Sequence, residues 1–269
     1  MRPVRHHGHS RLNYLISNLV HRFFHPPQPS RVPVLRLEGT EAHHALHVLR
    51  VRRGERVLVL DGAGVEYSCE VVECQRRHVD LKVLENTSVP PLPWRITLVQ
   101  AVPKGKLIES IIQKATELGV NRVVPLLAER VVTHLAEDEA PEKKEKWRAV
   151  AIEAIKQCGS AWLPEIETPL TPHEFLARHE AFDLALVGSL QPDSRHPREF
   201  FRQFAQQHGR KPASVCIWIG PEGDFTPDEL QRIQAAGARP ISLGRLVLRT
   251  ETAAIYCLAI SNYELSQNG

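Results

Sequence analysis

One change of rhythm constrains this chain more than any other feature. Up to residue 85 its apolar residues fall in short alternating runs; after residue 94, apolar runs alternate with segments of helical period. Between them lies "NTSVPPLPW", residues 86–94, where Pro90, Pro91 and Pro93 remove backbone donors and stiffen the join. The pattern predicts a disordered extension over 1–20, a small β-rich domain over 21–88 and an α/β domain over 89–269.

In the first domain "VPVLRL" reads as a strand. "TEAHHALHVLR" reads as a helix, with Thr40 as N-cap and Ala42, Ala45, Leu46 and Leu49 facing the core. "RVLVLD", "VEYSCEVVE" and "HVDLKVLE" are rich in β-branched residues, and "DGAG", residues 61–64, joins the first two as a hairpin. Several short strands and one helix suggest a small barrel.

After the prolines the order is strand, helix, strand, the signature of a parallel sheet covered by helices. "RITLVQAV", "NRVVPLL", "FDLALVG", "SVCIWIG" and the short "RPISLG" are the strands. The first helix, "KGKLIESIIQKATELG", turns Leu107, Ile108, Ile111, Ile112, Ala115 and Leu118 to one face and ends at Gly119. A long helix is expected to start after Pro141. Others follow over "HPREFFRQFAQQHG", "TPDELQRIQAAG" and "TETAAIYCLAISNYEL".

Ligands of open α/β sheets bind beyond the carboxyl ends of the strands. Two such ends carry glycine turns, Gly220-Pro221-Glu222-Gly223 and Leu243-Gly244-Arg245. Thr226, Pro227 and Glu229 form a capping box on the helix after the first turn, and Asp224, Asp228 and Glu229 crowd its positive end. Phosphate is repelled there. A ligand that is neutral or cationic at this turn is favoured, and exposed backbone groups beside glycine can read the edge of a flat heterocycle. S-adenosylmethionine meets these demands; NAD and ATP meet them poorly. An oxidoreductase also needs a glycine fingerprint after its first strand, which "LVQAVPKGKL" lacks.

Composition narrows the class. With 42% hydrophobic and 24% charged residues, the chain reads as globular rather than fibrous or disordered, and no apolar stretch has the length of a membrane span. Its five cysteines form no tight framework, which suggests reduced thiols in the cytoplasm. Cys158, Cys216 and Cys257 lie in apolar runs and read as core thiols. Residues 1–56 hold 10 Lys and Arg against 3 acidic residues, with eight histidines. Such a basic stretch fits either a polyanion partner or a solvated surface. Neither His43 and His47 nor Cys69, Cys74 and His78 have the spacing of a zinc site, so no metal is expected. His6, His7 and His9 bind metal by composition only.

"IGPEGDFTPDEL" followed by "LGRLVLRTETAA" resembles the signature of the RsmE-type 16S rRNA uridine-N3 methyltransferases, a family of the SPOUT (trefoil-knotted) superfamily. "HHALHVLRVRRGERVLVLDGAGVEY" resembles that family's PUA-like barrel, and "QAVPKGKLIESIIQKATELGVNRVVPLLAERVV" the opening of its methyltransferase domain. The likeness spans residues 21–266. It implies an α/β fold with a C-terminal SPOUT knot and parallel sheet, preceded by a small PUA-like β-barrel. It implies S-adenosylmethionine as cofactor, 16S rRNA or the 30S subunit as partner, and a homodimer.

By matching positions, the resemblance implies cofactor contacts from Val187, Ile219, Gly220, Pro221, Glu222, Gly223, Leu243, Gly244, Leu248, Arg249, Thr250 and Thr252. The two threonines either hold the cofactor tail or cap the last helix. Arg249 is the candidate that stabilises negative charge on the uracil carbonyls, against a reading in which it ties Glu251 or a loop carbonyl. Glu222 or water is the candidate base. Arg22, Arg36, Arg50, Arg52, Arg53 and Arg56 form the expected RNA footprint. "KQCGSAWLPEI" departs from the family pattern: Lys156 stands for its glutamate and Ser160 for its arginine. That departure keeps open the alternative of a catalytically weak or inactive RNA-binding protein of the same architecture.

Overall fold

The computed structural model describes residues 20–28, 32–131 and 139–266. His6, His7, His9 and the extension through residue 19 lie outside the described residues. Two compact units divide between Pro90 and Pro91.

The first unit comprises β1 (Arg22–Phe24), β2 (Val34–Leu37), α1 (Gly39–His43), β3 (Arg56–Leu60), β4 (Val65–Cys74) and β5 (Val79–Ser88). Its sheet runs β1-β3-β4-β5-β2, with β1 parallel to β3 and the other pairs antiparallel. β1 and β2 are the two edges and do not pair among the described residues, so the small PUA-like barrel expected takes the form of an open half-barrel. Phe23, Leu35, Leu37, Val57, Val59, Val71 and Leu81 fill its core together with Ala42 and Ala45.

The helix of this unit departs from expectation at both ends. Its N-cap is Glu38 and not Thr40, with no side-chain capping bond, and Gly39 enters the helix at φ 55°. After His43 the helix widens into a π turn, His44–Leu49, that Arg50 ends in the left-handed region at φ 55°. Ala42 and Ala45 are buried, whereas Leu46 and Leu49 are half-buried against the core.

The hairpin at residues 61–64 forms as expected: Asp61 Oδ1 accepts from the amides of Ala63 (2.8 Å) and Val65 (2.9 Å). β5 then runs on through Asn86, Thr87 and Ser88, which the sequence assigned to the linker. They pair with Tyr67, Glu66 and Val65 of the ten-residue β4. A long template strand extends its partner until Pro90, which has no N–H to give. Register shifts at Ser68/Cys69 and Val71/Glu73 bend this hairpin.

The second unit holds β6 (Arg95–Ala101), α2 (Leu107–Glu117), β7 (Arg122–Leu126), α3 (Ala140–Cys158), β8 (Glu165–Ile166), α4 (Pro172–Leu176), β9 (Leu184–Gly188), α5 (Pro197–His208), β10 (Ser214–Ile219), α6 (Pro227–Ala235), β11 (Arg239–Ile241) and α7 (Thr250–Ser266). The sheet order is β11-β9-β10-β6-β7-β8, and every pair is parallel. The chain leaves the edge strand β11 and returns to the middle of the sheet, where α7 packs on β10 and β6.

Three details differ from the sequence reading. Leu107 is 39% exposed, because the first residue of α2 lies outside the face that buries Ile108, Ile111, Ile112 and Ala115. α3 begins at Ala140, with Pro141 inside its first turn, where a missing N–H costs nothing. Cys158 is exposed at the end of α3, whereas Cys216 and Cys257 are buried. Burial raises both of those thiols, Cys257 to about 12.

One ion pair ties the entry of β9 to the approach to β10. Asp183 accepts from Arg210 Nη1 (2.8 Å) and Nη2 (2.9 Å) and from the Ala213 amide (2.6 Å). The Arg210 guanidinium, followed by the backbone amides of Ala213 and Ser214, holds the carboxyl down at about 2. A depressed carboxylate stabilises the fold above its ordinary pKa, and that stability is lost as pH falls through the folded value. Asp183→Asn is therefore expected to lower the melting temperature at pH 7, and the gap to wild type should close between about pH 4 and 2. Thermal denaturation across that range checks it; a gap that does not change with pH contradicts it.

Candidate active site

Because β11, β9 and β10 are adjacent and parallel, the loops after their carboxyl ends lie side by side. They enclose a cleft of about 670 Å³, within the range that holds a small ligand. Its walls come from residues 188–192 and 194 at the end of β9, 219–222 and 224 at the end of β10, and 242–250 after β11.

The middle wall is built from a tight turn. The Asp224 amide donates to Pro221 O (2.9 Å), Asp224 takes φ 61°, and its Oδ1 accepts from the Phe225 amide (2.8 Å). Gly220 is packed so closely that a Cβ would lie 3.2 Å from both Asp224 Oδ1 and Phe225 Cδ2. From outside, Arg130 Nη1 donates to Gly223 O (2.8 Å), and Glu222 Oε1 accepts from the Lys104 amide (3.2 Å).

The capping box on α6 forms in full. Thr226 Oγ1 accepts from the Glu229 amide (3.3 Å), and Glu229 Oε2 accepts from the Thr226 amide (2.9 Å). The second oxygen of the buried Glu229 accepts from the Glu129 amide (2.9 Å). With these donors engaged and Asp224 and Asp228 beside them, the turn offers a phosphate little but negative charge. The same arrangement suits a neutral or cationic group.

The three walls are held together from beneath. Thr250 Oγ1, on the first residue of α7, donates to Gly220 O (2.8 Å) and accepts from Gln100 Nε2 (2.9 Å). Gln100, the next-to-last residue of β6, is fully buried, and its Nε2 also donates to Ala101 O (2.9 Å). The Ser189 amide joins the β9 loop to β11 through Ile241 O (3.1 Å).

Ile219, Gly220, Pro221, Glu222, Leu243, Gly244, Leu248, Arg249 and Thr250 all line the cleft. Val187 is wholly buried, and its neighbour Gly188 takes the lining position. Gly223 faces Arg130, and Thr252 is exposed on α7; neither lines the cleft. Thr250 is the first residue of α7 and not its N-cap, and its hydroxyl bonds Gln100 and Gly220 instead. Arg249 is exposed, and its side chain forms no hydrogen bond or ion pair among the described residues, so it ties neither Glu251 nor a loop carbonyl.

Sequence reasoning missed Ser189, Leu190 and Gln191, which follow β9 without a glycine signal, and Leu246 and Val247, which are 79% and 77% exposed. It also missed Gln100, whose partner lies 150 residues away. Lys156 and Ser160 do not line the cleft. Lys156 is only 6% exposed and pairs with Glu153 (2.7 Å). Ser160 exchanges hydrogen bonds with the backbone of Trp162.

The footprint arginines divide. Arg36 donates to Asp80 through Nε (2.7 Å) and Nη2 (3.0 Å), which commits its charge. Arg50, Arg52, Arg53 and Arg56 are exposed, and Arg22 is half-buried.

Gly220→Ala is expected to destabilise the protein by about 1–3 kcal/mol, since the added methyl must displace backbone as well as side chain. Gly188→Ala meets only ordinary contacts of 3.5 Å and 3.7 Å and should stay within about 1 kcal/mol of wild type. Denaturant unfolding of the pair checks this; equal losses would contradict the close packing of the Gly220 turn.

Residues 90–262 match the model of an RNA methyltransferase domain, and residues 37–84 that of an RNA methyltransferase PUA domain. The ribosomal RNA small subunit methyltransferase E of Bacillus subtilis (strain 168) is 30% identical, covering 88% of this chain and 93% of that protein. The protein of the same name from Mycobacterium tuberculosis is 32% identical, covering 88% of each. Among solved structures, a putative methyltransferase of Legionella pneumophila in complex with S-adenosylmethionine superposes with a TM-score of 0.81 at 30% identity, over 90% of this chain and 96% of that one. The ribosomal RNA small subunit methyltransferase E of Neisseria gonorrhoeae, bound to S-adenosylmethionine, gives a TM-score of 0.78 at 25% identity, over 91% and 97%. This chain, with its PUA-like half-barrel and its parallel-sheet SPOUT domain, belongs to the family of ribosomal RNA small subunit methyltransferases E.

Proposed function

We propose that this protein is an S-adenosylmethionine-dependent methyltransferase that methylates N3 of a uridine in the 16S rRNA of the small ribosomal subunit. The observation that carries this reading is the cleft at the ends of β9, β10 and β11. It is walled by backbone, and its acidic collar disfavours phosphate and tolerates a cation. Ile219, Gly220, Pro221, Leu243, Gly244 and Leu248 would hold the cofactor, with Val187, Gly223 and Thr252 acting from behind the lining.

S-adenosylmethionine supplies an electrophilic methyl group on a positive sulfur. The walls of the cleft fix the direction of approach, and orientation is most of what an in-line displacement requires. Uridine N3 is a poor nucleophile until it loses its proton, after which negative charge spreads onto the ring carbonyls. The unpartnered guanidinium of Arg249 stabilises that charge. The proton leaves to water or to Glu222, whose Oε1 holds the Lys104 amide and whose Oε2 has no bond among the described residues.

The protein works as a homodimer in the cytoplasm. Leu246, Val247, Tyr256 and Tyr263 support the dimer by presenting apolar surface on the cleft loop and on α7. Among the described residues no helix is long and apolar enough to cross a membrane, and no cluster is placed to hold a metal ion. Ser160, whose hydroxyl is spent on Trp162, favours a second reading, a protein that binds rRNA with little or no catalysis.

Transfer of a labelled methyl group to small-subunit rRNA, with the product base mapped by mass spectrometry, separates the two. Wild type should form N3-methyluridine. Arg249→Gln should lower kcat by about 10²–10³ while calorimetric affinity for S-adenosylmethionine changes little. Absence of transfer by wild type, with RNA still bound, leaves the second reading standing.

A further inference from the structure

The half-barrel contains a cleft of its own, about 470 Å³, on the face where α1 and the following π turn meet the β4–β5 hairpin. His43 and His47 line one side, and Arg76, Arg77 and His78 line the other. The His43 and His47 rings lie one helical turn apart with centroids 4.8 Å from each other. Arg76 and Arg77 are exposed, and neither guanidinium makes an ion pair or hydrogen bond among the described residues. None of these five residues belongs to the arginine footprint read from the sequence.

The charges around the cleft decide what it suits. On β2 and β5, Arg36 and Asp80 satisfy one another, and His78 Nε2 stands 3.8 Å from Asp80 Oδ2. On β4, Glu73 accepts from Gln75 Nε2 (2.7 Å). Glu38, before α1, is the one acid on the lining, and it lies in the field of Arg36. Two uncommitted arginines therefore face a single carboxylate, with three imidazole rings beside them. A cation is disfavoured by this balance. An anion with several acceptor oxygens fits it, since guanidinium forks bind phosphate bidentately and imidazoles supply further donors.

The geometry points to this cleft as a seat for backbone phosphates of the RNA substrate, gripped between the Arg76-Arg77 turn and the His43/His47 face. It rests on the rRNA reading above and adds a second anchor beyond Arg50, Arg52, Arg53 and Arg56. Phosphate contacts of this kind set register and affinity without choosing sequence.

The test uses the full chain and labelled fragments of small-subunit rRNA, with binding followed by anisotropy across a salt series. Arg76→Gln with Arg77→Gln is expected to reduce the slope of log affinity against log salt by about 1.5 and to weaken binding roughly tenfold. His43→Ala with His47→Ala, which removes the ring donors from the opposite wall, should also weaken binding. Glu38→Gln should tighten binding, a gain that a misfolded variant cannot imitate. Inorganic phosphate at matched ionic strength should compete only weakly; full displacement by it at low concentration would mark a free-anion site and overturn the RNA assignment. An unchanged slope and affinity in the arginine pair, with wild type binding RNA normally, overturns this inference and leaves the methyltransferase reading intact. A wild type that binds no rRNA sinks both.

Discussion

A single hydroxyl joins the parts of the catalytic unit on which its cleft depends. Thr250 Oγ1 accepts from Gln100 at the end of β6 and donates to Gly220 at the end of β10, so strand, turn and closing helix meet at one atom. A hydroxyl has one proton to give, and here Gly220 O takes it. Removing the hydroxyl would leave the Gln100 amide with only its bond to Ala101 O and take from Gly220 O its Thr250 donor, and a lost bond of this kind costs about 1–3 kcal/mol for a buried group. The return of α7 to the middle of the sheet is what brings Thr250 to this position.

Around that junction, local chemistry fixes the walls. The Gly220 turn has room for no side chain, Asp224 closes it from within, and Glu229 uses both carboxylate oxygens to join its own helix to the loop after β7. These bonds consume the amides that would otherwise attract phosphate to a helix start. The cleft is thereby selective through what it has already satisfied, while Arg249 stays uncommitted beside it.

Much of this was legible in the sequence, for identifiable reasons. Alternating strand and helix patterns marked the parallel sheet, the Thr226–Glu229 box announced α6, and glycines marked two of the three cleft loops. An identical Thr-Pro-x-Glu box at Thr171–Glu174 starts α4, a five-residue helix too short for periodicity to reveal. β1 and β8 have three and two residues and carry no pattern of their own. The β9 loop was found only at Val187, because a wall made of Ser189, Leu190 and Gln191 has no compositional mark. Gln100 and the burial of Lys156 depend on partners that folding brings near. The half-barrel showed the same limit: β5 ran past the expected linker because β4 was long enough to pair with it.

The central claim is that the Thr250 hydroxyl, by joining Gln100 to Gly220, keeps the cofactor cleft in its binding shape. Calorimetric titration of S-adenosylmethionine into Thr250→Val and Thr250→Ser tests it most directly, with circular dichroism to confirm folding. Serine, which keeps the hydroxyl, should bind within a few-fold of wild type, and valine, of nearly equal size, should bind at least about tenfold more weakly. A folded valine variant that binds as tightly as wild type would contradict the account.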